Sequence, residues 1–263
     1  MSTIAVPNIG VGDLLRTWRQ RRRLSQLDLA SEAEVSTRHL SFVETGRSTP
    51  SRELVLHLAE HLDVPLRERD TLLLAAGYAP VHRRTPLDDE AMGPVRNALD
   101  TILRGHEPYP AVIVDHRWDL VSANGPALAV LTDGVAPALL EAPNALRVTL
   151  HPDGLAPRIA NLAEWSAHLL GRLHREATLS ADPELAALHE ELAGYPGVER
   201  GGAPHDPAAQ LFVPLRLRTP AGAELRLFST IATFGTALDL TIADLAIEVF
   251  FPADAATEAA LRG

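Results

Sequence analysis

Along residues 24–50 apolar positions recur at helical spacing twice in quick succession, with a serine ahead of each run. Ser25 and Asp28 stand three apart, a capping-box pattern in which the serine oxygen accepts a backbone N–H and the carboxylate reaches back to the cap. The pattern predicts a helix over 26–33, with Leu27, Leu29, Ala30 and Ala33 on its buried stripe. Glu34 and Val35 make a turn, and Ser36 is the next N-cap. A second helix is predicted over 37–45, with Leu40 and Val43 on one side and Thr37, Arg38, Ser41 and Phe42 on or near the other. Further helices follow over 51–61, where Leu54, Leu58 and Leu62 form the stripe, and over 66–76, ending at Gly77 and Tyr78.

The rhythm changes after that. Residues 77–94 carry three prolines and two glycines among mixed charges, the composition of a linker. A helix is expected over 95–104, then a hairpin of two apolar runs, 111–114 and 118–122, separated by Asp115, His116 and Arg117. Residues 161–177 place Leu162, Trp165, Leu169 and Leu173 on one helical stripe. Leu211, Val213, Leu215 and Leu217 then alternate with Phe212, Pro214, Arg216 and Arg218, as in a half-buried strand. A turn at 219–222 leads into a strand over 224–233, and a last strand over 246–251 precedes Pro252 and a short helix. Two strands, several helices and three strands make an α+β domain with an antiparallel sheet, an order that several folds share. The expected organisation is an all-α five-helix domain over 9–78, a linker over 79–94 and the α+β domain over 95–263.

Two short capped helices joined by a tight turn, the second polar and arginine-bearing, have the shape of a helix-turn-helix DNA reader. Residues 15–64 resemble the xenobiotic-response-element family of phage-repressor-like regulators. The resemblance runs through Leu15-Arg16, Arg19, Leu24-Ser25-Gln26, Leu29-Ala30, Val35-Ser36, Leu40-Ser41, Glu44, Gly46-Arg47, Pro50-Ser51, Leu54, Leu58-Ala59, Leu62 and Val64. It implies that Gln26 bonds a phosphate and braces the second helix. Ser36, Thr37, Arg38, His39, Ser41 and Phe42 then present the reading surface, and Arg47, Ser48, Thr49 and Arg52 hold the backbone, which positions without specifying. Arg38 is the leading reader, because a guanidinium pairs bidentately with guanine O6 and N7. Arg19 and Glu44 are expected to pair inside the domain instead. Arg23 and Glu34 stand where the family usually has glycine, so the turns are expected to differ slightly.

In the second domain, residues 110–131 (PAVIVDHRWDLVSANGPALAVL), 150–165 (LHPDGLAPRIANLAEW) and 228–254 (FSTIATFGTALDLTIADLAIEVFFPAD) resemble the MmyB-type regulators. That resemblance implies a bacterial transcription regulator whose PAS-like C-terminal domain encloses a small hydrophobic effector, with fatty acids or related acyl compounds the leading class. Trp118, Asn124, Leu128, Trp165, Leu169, Phe212, Phe228 and Phe234 are the candidate walls, and Arg147, His151, Arg158 and Arg172 the candidate polar anchors. Arg172 sits at the edge of the 161–177 stripe, where a buried guanidinium needs an anion. Glu176, one turn on, is the simpler partner and a ligand carboxylate the other.

Charge is unevenly spread. Residues 11–52 hold eight arginines and five carboxylates, a net of +3, whereas the whole chain is −10 and the remainder therefore −13. A basic face must stand apart from this acidic bulk to meet phosphate. The chain has no cysteine and no lysine, all 24 basic residues being arginine. Disulfides, thiolate metal sites, Walker-type phosphate binding and Schiff-base chemistry are thereby excluded. His57-Leu58-Ala59-Glu60-His61 matches an H-x-x-E-H zinc signature, but its histidines lie off the buried stripe with no third ligand in view. The expectation is a non-enzymatic regulator with no cofactor or metal, cytoplasmic and nucleoid-associated, with no membrane segment. It is expected to bind a pseudo-palindromic double-stranded operator as a homodimer. The alternative is a helix-turn-helix repressor, antitoxin-like, whose C-terminal domain serves only dimerisation or a protein partner.

Overall fold

The computed structural model describes residues 10–180, 182–199, 213–220, 222–234 and 239–262. They form two compact units, one running to Arg84 and the other from Thr85 onward, apart from residues 239–240, which group with the first. The first unit is five helices, α1 (Val11–Arg21), α2 (Gln26–Glu32), α3 (Thr37–Glu44), α4 (Arg52–His61) and α5 (Leu66–Ala75). The capping box is complete: Ser25 Oγ accepts from Asp28 N at 3.1 Å while the Asp28 carboxylate accepts from Ser25 N at 2.9 Å. Ser36 and Ser51 cap α3 and α4 in the same way, accepting from His39 N at 3.1 Å and Leu54 N at 3.2 Å. Such a cap is worth about 1 kcal/mol.

Leu15, Trp18, Leu29, Leu40, Val55, Leu58, Leu62, Leu72 and Leu73 form the core of this unit. One member of the expected α2 stripe does not join it, because Leu27 is 66% exposed. At 100° per residue Leu27 lies about 160° from Leu29 and about 120° from Ala33, with only Ala30 within about 60°, so it falls at the edge of the buried face. The helices pack closely, since a Cβ on Gly12 would lie 2.3 Å from the Val43 carbonyl oxygen. Arg23 (φ 58°) and Glu34 (φ 52°) both adopt the left-handed backbone. The turns therefore keep the geometry that glycine favours, with side chains that tolerate it poorly.

The second unit begins with a 3₁₀ turn, Glu90–Met92, and α6 (Gly93–Gly105), followed by β1 (Ala111–Val114) and β2 (Leu120–Ala123). Helices α7 (Gly125–Thr132), α8 (Ala145–Leu150), α9 (Leu162–Ser180) and α10 (Pro183–Ala193) come next, with 3₁₀ turns at Pro137–Leu139 and Ala156–Arg158. Then follow β3 (Leu215–Arg218), β4 (Glu224–Thr233), α11 (Leu240–Ala243), β5 (Ala246–Pro252) and α12 (Ala255–Arg262). The strands pair antiparallel throughout, in the order β2-β1-β5-β4-β3. This is the expected α+β domain with an antiparallel sheet, following the expected five-helix helix-turn-helix domain in the chain. β3 opens at Leu215, later than the alternation suggested, and residues 211 and 212 of that expected strand lie outside the described residues.

Strand periodicity gives the sheet two buried faces. Ala111, Ile113 and Ile247 meet Leu99 and Leu103 of α6 on one. Val112, Leu215, Leu217, Leu225 and Leu227 on the other meet Trp165, Leu169, Leu170 and Leu173 of α9 and Leu185, Leu188 and Leu192 of α10.

Candidate functional site

In the first unit, α3 presents its polar side. Arg38 and His39 are exposed, while Thr37, Ser41 and Phe42 are half-buried. The Arg38 guanidinium lies 5.3 Å from the Phe42 ring centroid and that of Arg47 lies 6.0 Å from it. One aromatic ring thus gathers a cation from α3 and one from the following loop, a cation–π arrangement that orients both. Gly46 (φ 71°) turns the chain after α3, so that Arg47 N and Ser48 N donate to Phe42 O at 2.8 and 3.1 Å. Arg47 and Thr49 are exposed and Ser48 half-buried.

Behind this surface is a buried ion pair. Arg19 Nε and Nη2 donate to the two Glu44 carboxylate oxygens at 2.7 and 2.8 Å, and Gln26 Nε2 donates to Glu44 Oε2 at 2.8 Å. Burial opposes the Glu44 charge, but the hydrogen bonds from Arg19 and Gln26 and the charges of Arg19 and Arg16 outweigh it, leaving the carboxyl below its ordinary pKa. Gln26 therefore braces α3 through Glu44. On α4, His57 Nε2 donates to Ala33 O at 2.8 Å and the two histidine rings meet edge to face at 4.7 Å. Among the described residues no group of three or more His, Asp or Glu is placed to hold a metal ion.

In the second unit the packing between sheet and helices is incomplete. A cavity of about 60 Å³ remains there, a narrow slot. Val112, Leu215, Leu227, Glu248 and Phe250 line it from the sheet. Ala127, Val130 and Leu131 of α7, Ala145, Leu146 and Thr149 of α8, Trp165 and Leu169 of α9, and Pro110, Trp118 and Leu155 complete the wall.

Trp118 reaches the cavity from the β1–β2 hairpin tip. The Asp115 carboxylate accepts from Arg117 N at 2.8 Å and Asp119 N at 3.0 Å, tightening a turn in which Trp118 takes φ 68°. A bulky residue is strained there. The indole is held from α9, its Nε1 donating to Glu176 Oε2 at 3.0 Å while the Arg172 guanidinium lies 4.0 Å from its ring centroid. Arg172 also stands 3.5 Å from Glu176 Oε1 and 3.8 Å from Glu248 Oε1. Glu248 itself is 6% exposed and accepts from Ser229 Oγ at 2.7 Å. Burial pushes its carboxyl above the ordinary value, against the pull of Arg172 and Ser229. Among the described residues two buried side-chain donors lack hydrogen-bond partners, Trp165 Nε1 and Arg172 Nη2.

Of the residues singled out from the sequence as ligand contacts, Trp118, Trp165 and Leu169 line the cavity, and Arg172 touches its wall through Trp118 and Glu248. Asn124 is instead the N-cap of α7: its Oδ1 accepts from Ala111 N and Ala127 N, both at 3.0 Å, and its Nδ2 donates to Tyr109 O at 2.8 Å. Leu128 is 46% exposed. Arg147 pairs with Glu191 at 2.7 and 2.8 Å, and His151 packs edge to face on Tyr195. Arg158 donates to Arg218 O and Asp133 O. Phe228 stacks on Phe251, Phe234 packs beside the α6 face, and Phe212 lies outside the described residues. Glu248 was not anticipated. Its signal is a lone carboxylate inside the apolar run 246–251, paired with Val112 across β1 and hence on the cavity face.

Residues 95–263 match the family described as the MmyB-like transcription regulator ligand binding domain, and residues 11–72 match a helix-turn-helix domain. No curated protein matches the chain. A solved structure titled "Structure of an RNA-binding Light-Oxygen-Voltage Receptor" is 13% identical, with 97% of this chain and 62% of that one covered at a TM-score of 0.26. The chain thus spans less than two thirds of that protein's length, and the likeness is too loose to bear on fold.

Proposed function

The chain belongs to the MmyB-like transcription regulators, and we propose that it reads a pseudo-palindromic DNA operator as a homodimer, controlled by a small hydrophobic, fatty-acyl ligand. It is a regulator that joins a helix-turn-helix domain to a ligand-binding domain, and neither family is enzymatic. The observation that carries the ligand reading is the apolar slot of the second unit, partly open to solvent and walled by Trp118, Trp165, Leu169 and Phe250. Binding there removes apolar ligand surface from water, and the slot's narrowness suits an unbranched chain better than a ring system.

On the DNA side the reading rests on the exposed cations of α3 and its following loop, held by Phe42 above a rigid Arg19–Glu44–Gln26 network. Two copies related by a two-fold axis would set their recognition helices one helical turn of DNA apart, about 34 Å. In this reading the protein works in the cytoplasm at the nucleoid, and no described helix is long and apolar enough to cross a membrane. Ligand alters DNA affinity only to the extent that it binds one dimer geometry better than another.

Two measurements test this. Native mass spectrometry of the purified dimer, followed by lipid extraction, is expected to release an acyl compound; a protein that is empty, unresponsive to added acyl chains and bound to a protein partner would support a docking role instead. Arg38→Ala is expected to abolish operator preference in genome-wide binding maps while leaving the circular dichroism spectrum unchanged. Intact preference would remove Arg38 from the reading surface.

A further inference from the structure

We propose that the cavity takes a neutral amphiphile, with an uncharged ester, amide or alcohol head beside Glu248 and Trp165, and disfavours the free carboxylate of the same chain length. This assignment rests on the acyl-ligand reading of the same cavity and extends it to the chemistry of the ligand's head.

The charges are the first reason. Among the described residues Glu248 is the one charged member of the lining, and its neighbours are Ser229 from β4 and Arg172 and Glu176 from α9. Arg172 is the nearest cation, but it already lies against two carboxylates and over the Trp118 ring. Its Nη2 is the other buried donor without a partner, but Arg172 is not part of the lining itself. A ligand carboxylate would be a third anion around one guanidinium, in a site with little water to screen it. His168, stacked on Trp165 at 5.6 Å, supplies no compensating charge at neutral pH, because burial and the charges of Arg172 and Arg175 hold it toward its neutral form.

Hydrogen-bond inventory is the second reason. Trp165 is 3% exposed, lines the cavity, and carries an indole N–H with no partner. A buried donor in that state asks for an acceptor, and an indole can only donate. An ester or amide carbonyl supplies the acceptor without adding charge. Glu248 answers either head: with its proton it donates to a carbonyl, and through its free lone pairs it accepts from a hydroxyl. The apolar remainder of the wall takes the chain.

The test is calorimetric titration of the full-length, lipid-stripped protein with methyl decanoate, 1-decanol and decanoate. At about pH 8 the ester and alcohol are expected to bind about tenfold more tightly than decanoate, which corresponds to roughly one pKa unit of unfavourable charge interaction. The gap should close toward about pH 5 as decanoate takes up a proton and loses its repulsion from the Glu248 carboxylate. Glu248→Gln, which keeps the hydrogen-bonding shape, should narrow the gap at about pH 8. Trp165→Phe, which keeps the ring, should weaken the ester several-fold, with folding of both variants checked by circular dichroism. Decanoate binding as tightly as the ester at about pH 8, or an unaltered gap in Glu248→Gln, overturns the proposal and leaves the acyl-ligand reading standing. Binding of none of the three probes overturns both.

Discussion

Glu44 is a carboxylate that the first unit holds in its charged form. At 1% exposure it is kept ionised by Arg19, Gln26 and Arg16, with a pKa below the ordinary 4.5. A carboxyl whose folded pKa is depressed contributes stability that is present above its unfolded value and lost as pH falls through the folded one. Acid titration followed by circular dichroism should therefore show the helical unit losing stability below about pH 4.5, and Glu44→Gln should weaken that dependence, which Asp28 and Glu53 share, while costing about 3 kcal/mol or more by stranding Arg19. Glu248 has the opposite sign. Burial raises its pKa, so its contribution is present below the ordinary glutamate value and lost as pH rises through the raised one. Glu248→Gln should accordingly make the second unit's stability less sensitive to pH as it rises above the ordinary glutamate value. Arg23 and Glu34 carry left-handed backbone that costs a non-glycine residue about 1–2 kcal/mol, partly offset by glycine's extra chain entropy. Glu34→Gly is expected to stabilise by up to about 1 kcal/mol in denaturant unfolding, and a loss of stability would show that the side chain has a compensating role.

At the scale of elements, helix starts were the most legible feature. Ser25 and Ser36 cap where expected, and Ser51 caps α4 likewise, because a cap depends only on residues two or three places away. Leu27 shows the limit of the same reasoning. It is apolar and near the stripe, yet the angle of α2 against its neighbours decided which residues are buried. The hairpin was legible as two apolar runs and Trp118 as a cavity wall, but not that Trp118 would sit at the left-handed tip with the second strand starting at Leu120. Asn124 illustrates the converse, a residue expected at the ligand whose four polar contacts tie α7 to β1, to Tyr109 and to the end of α6. Asn124→Ala leaves two buried N–H groups and two carbonyls without it, and should cost about 2–3 kcal/mol in thermal or chemical unfolding. Ligand affinity measured well below the melting temperature should change much less.

For the molecule as a whole, charge separation is the property most open to measurement. The +3 of residues 11–52 against −13 elsewhere means that attraction to DNA comes from one surface and is opposed by the rest. Operator affinity should fall steeply with salt, and Arg47→Ala should lower the slope of log K against log salt by about one while weakening all sequences alike. The two families matched by residues 11–72 and 95–263 were both legible in short motifs. The sequence by itself determined the caps, the stripes, the strand alternation and the class of each half, since those follow from contacts between near neighbours. Tertiary structure alone decided that Trp118, Trp165 and Glu248, from a hairpin tip, a helix and a distant strand, share one cavity wall. It also decided that Asn124, Arg147 and Arg158 are committed elsewhere. Side-chain destinations over such separations depend on how elements cross, which no local pattern encodes.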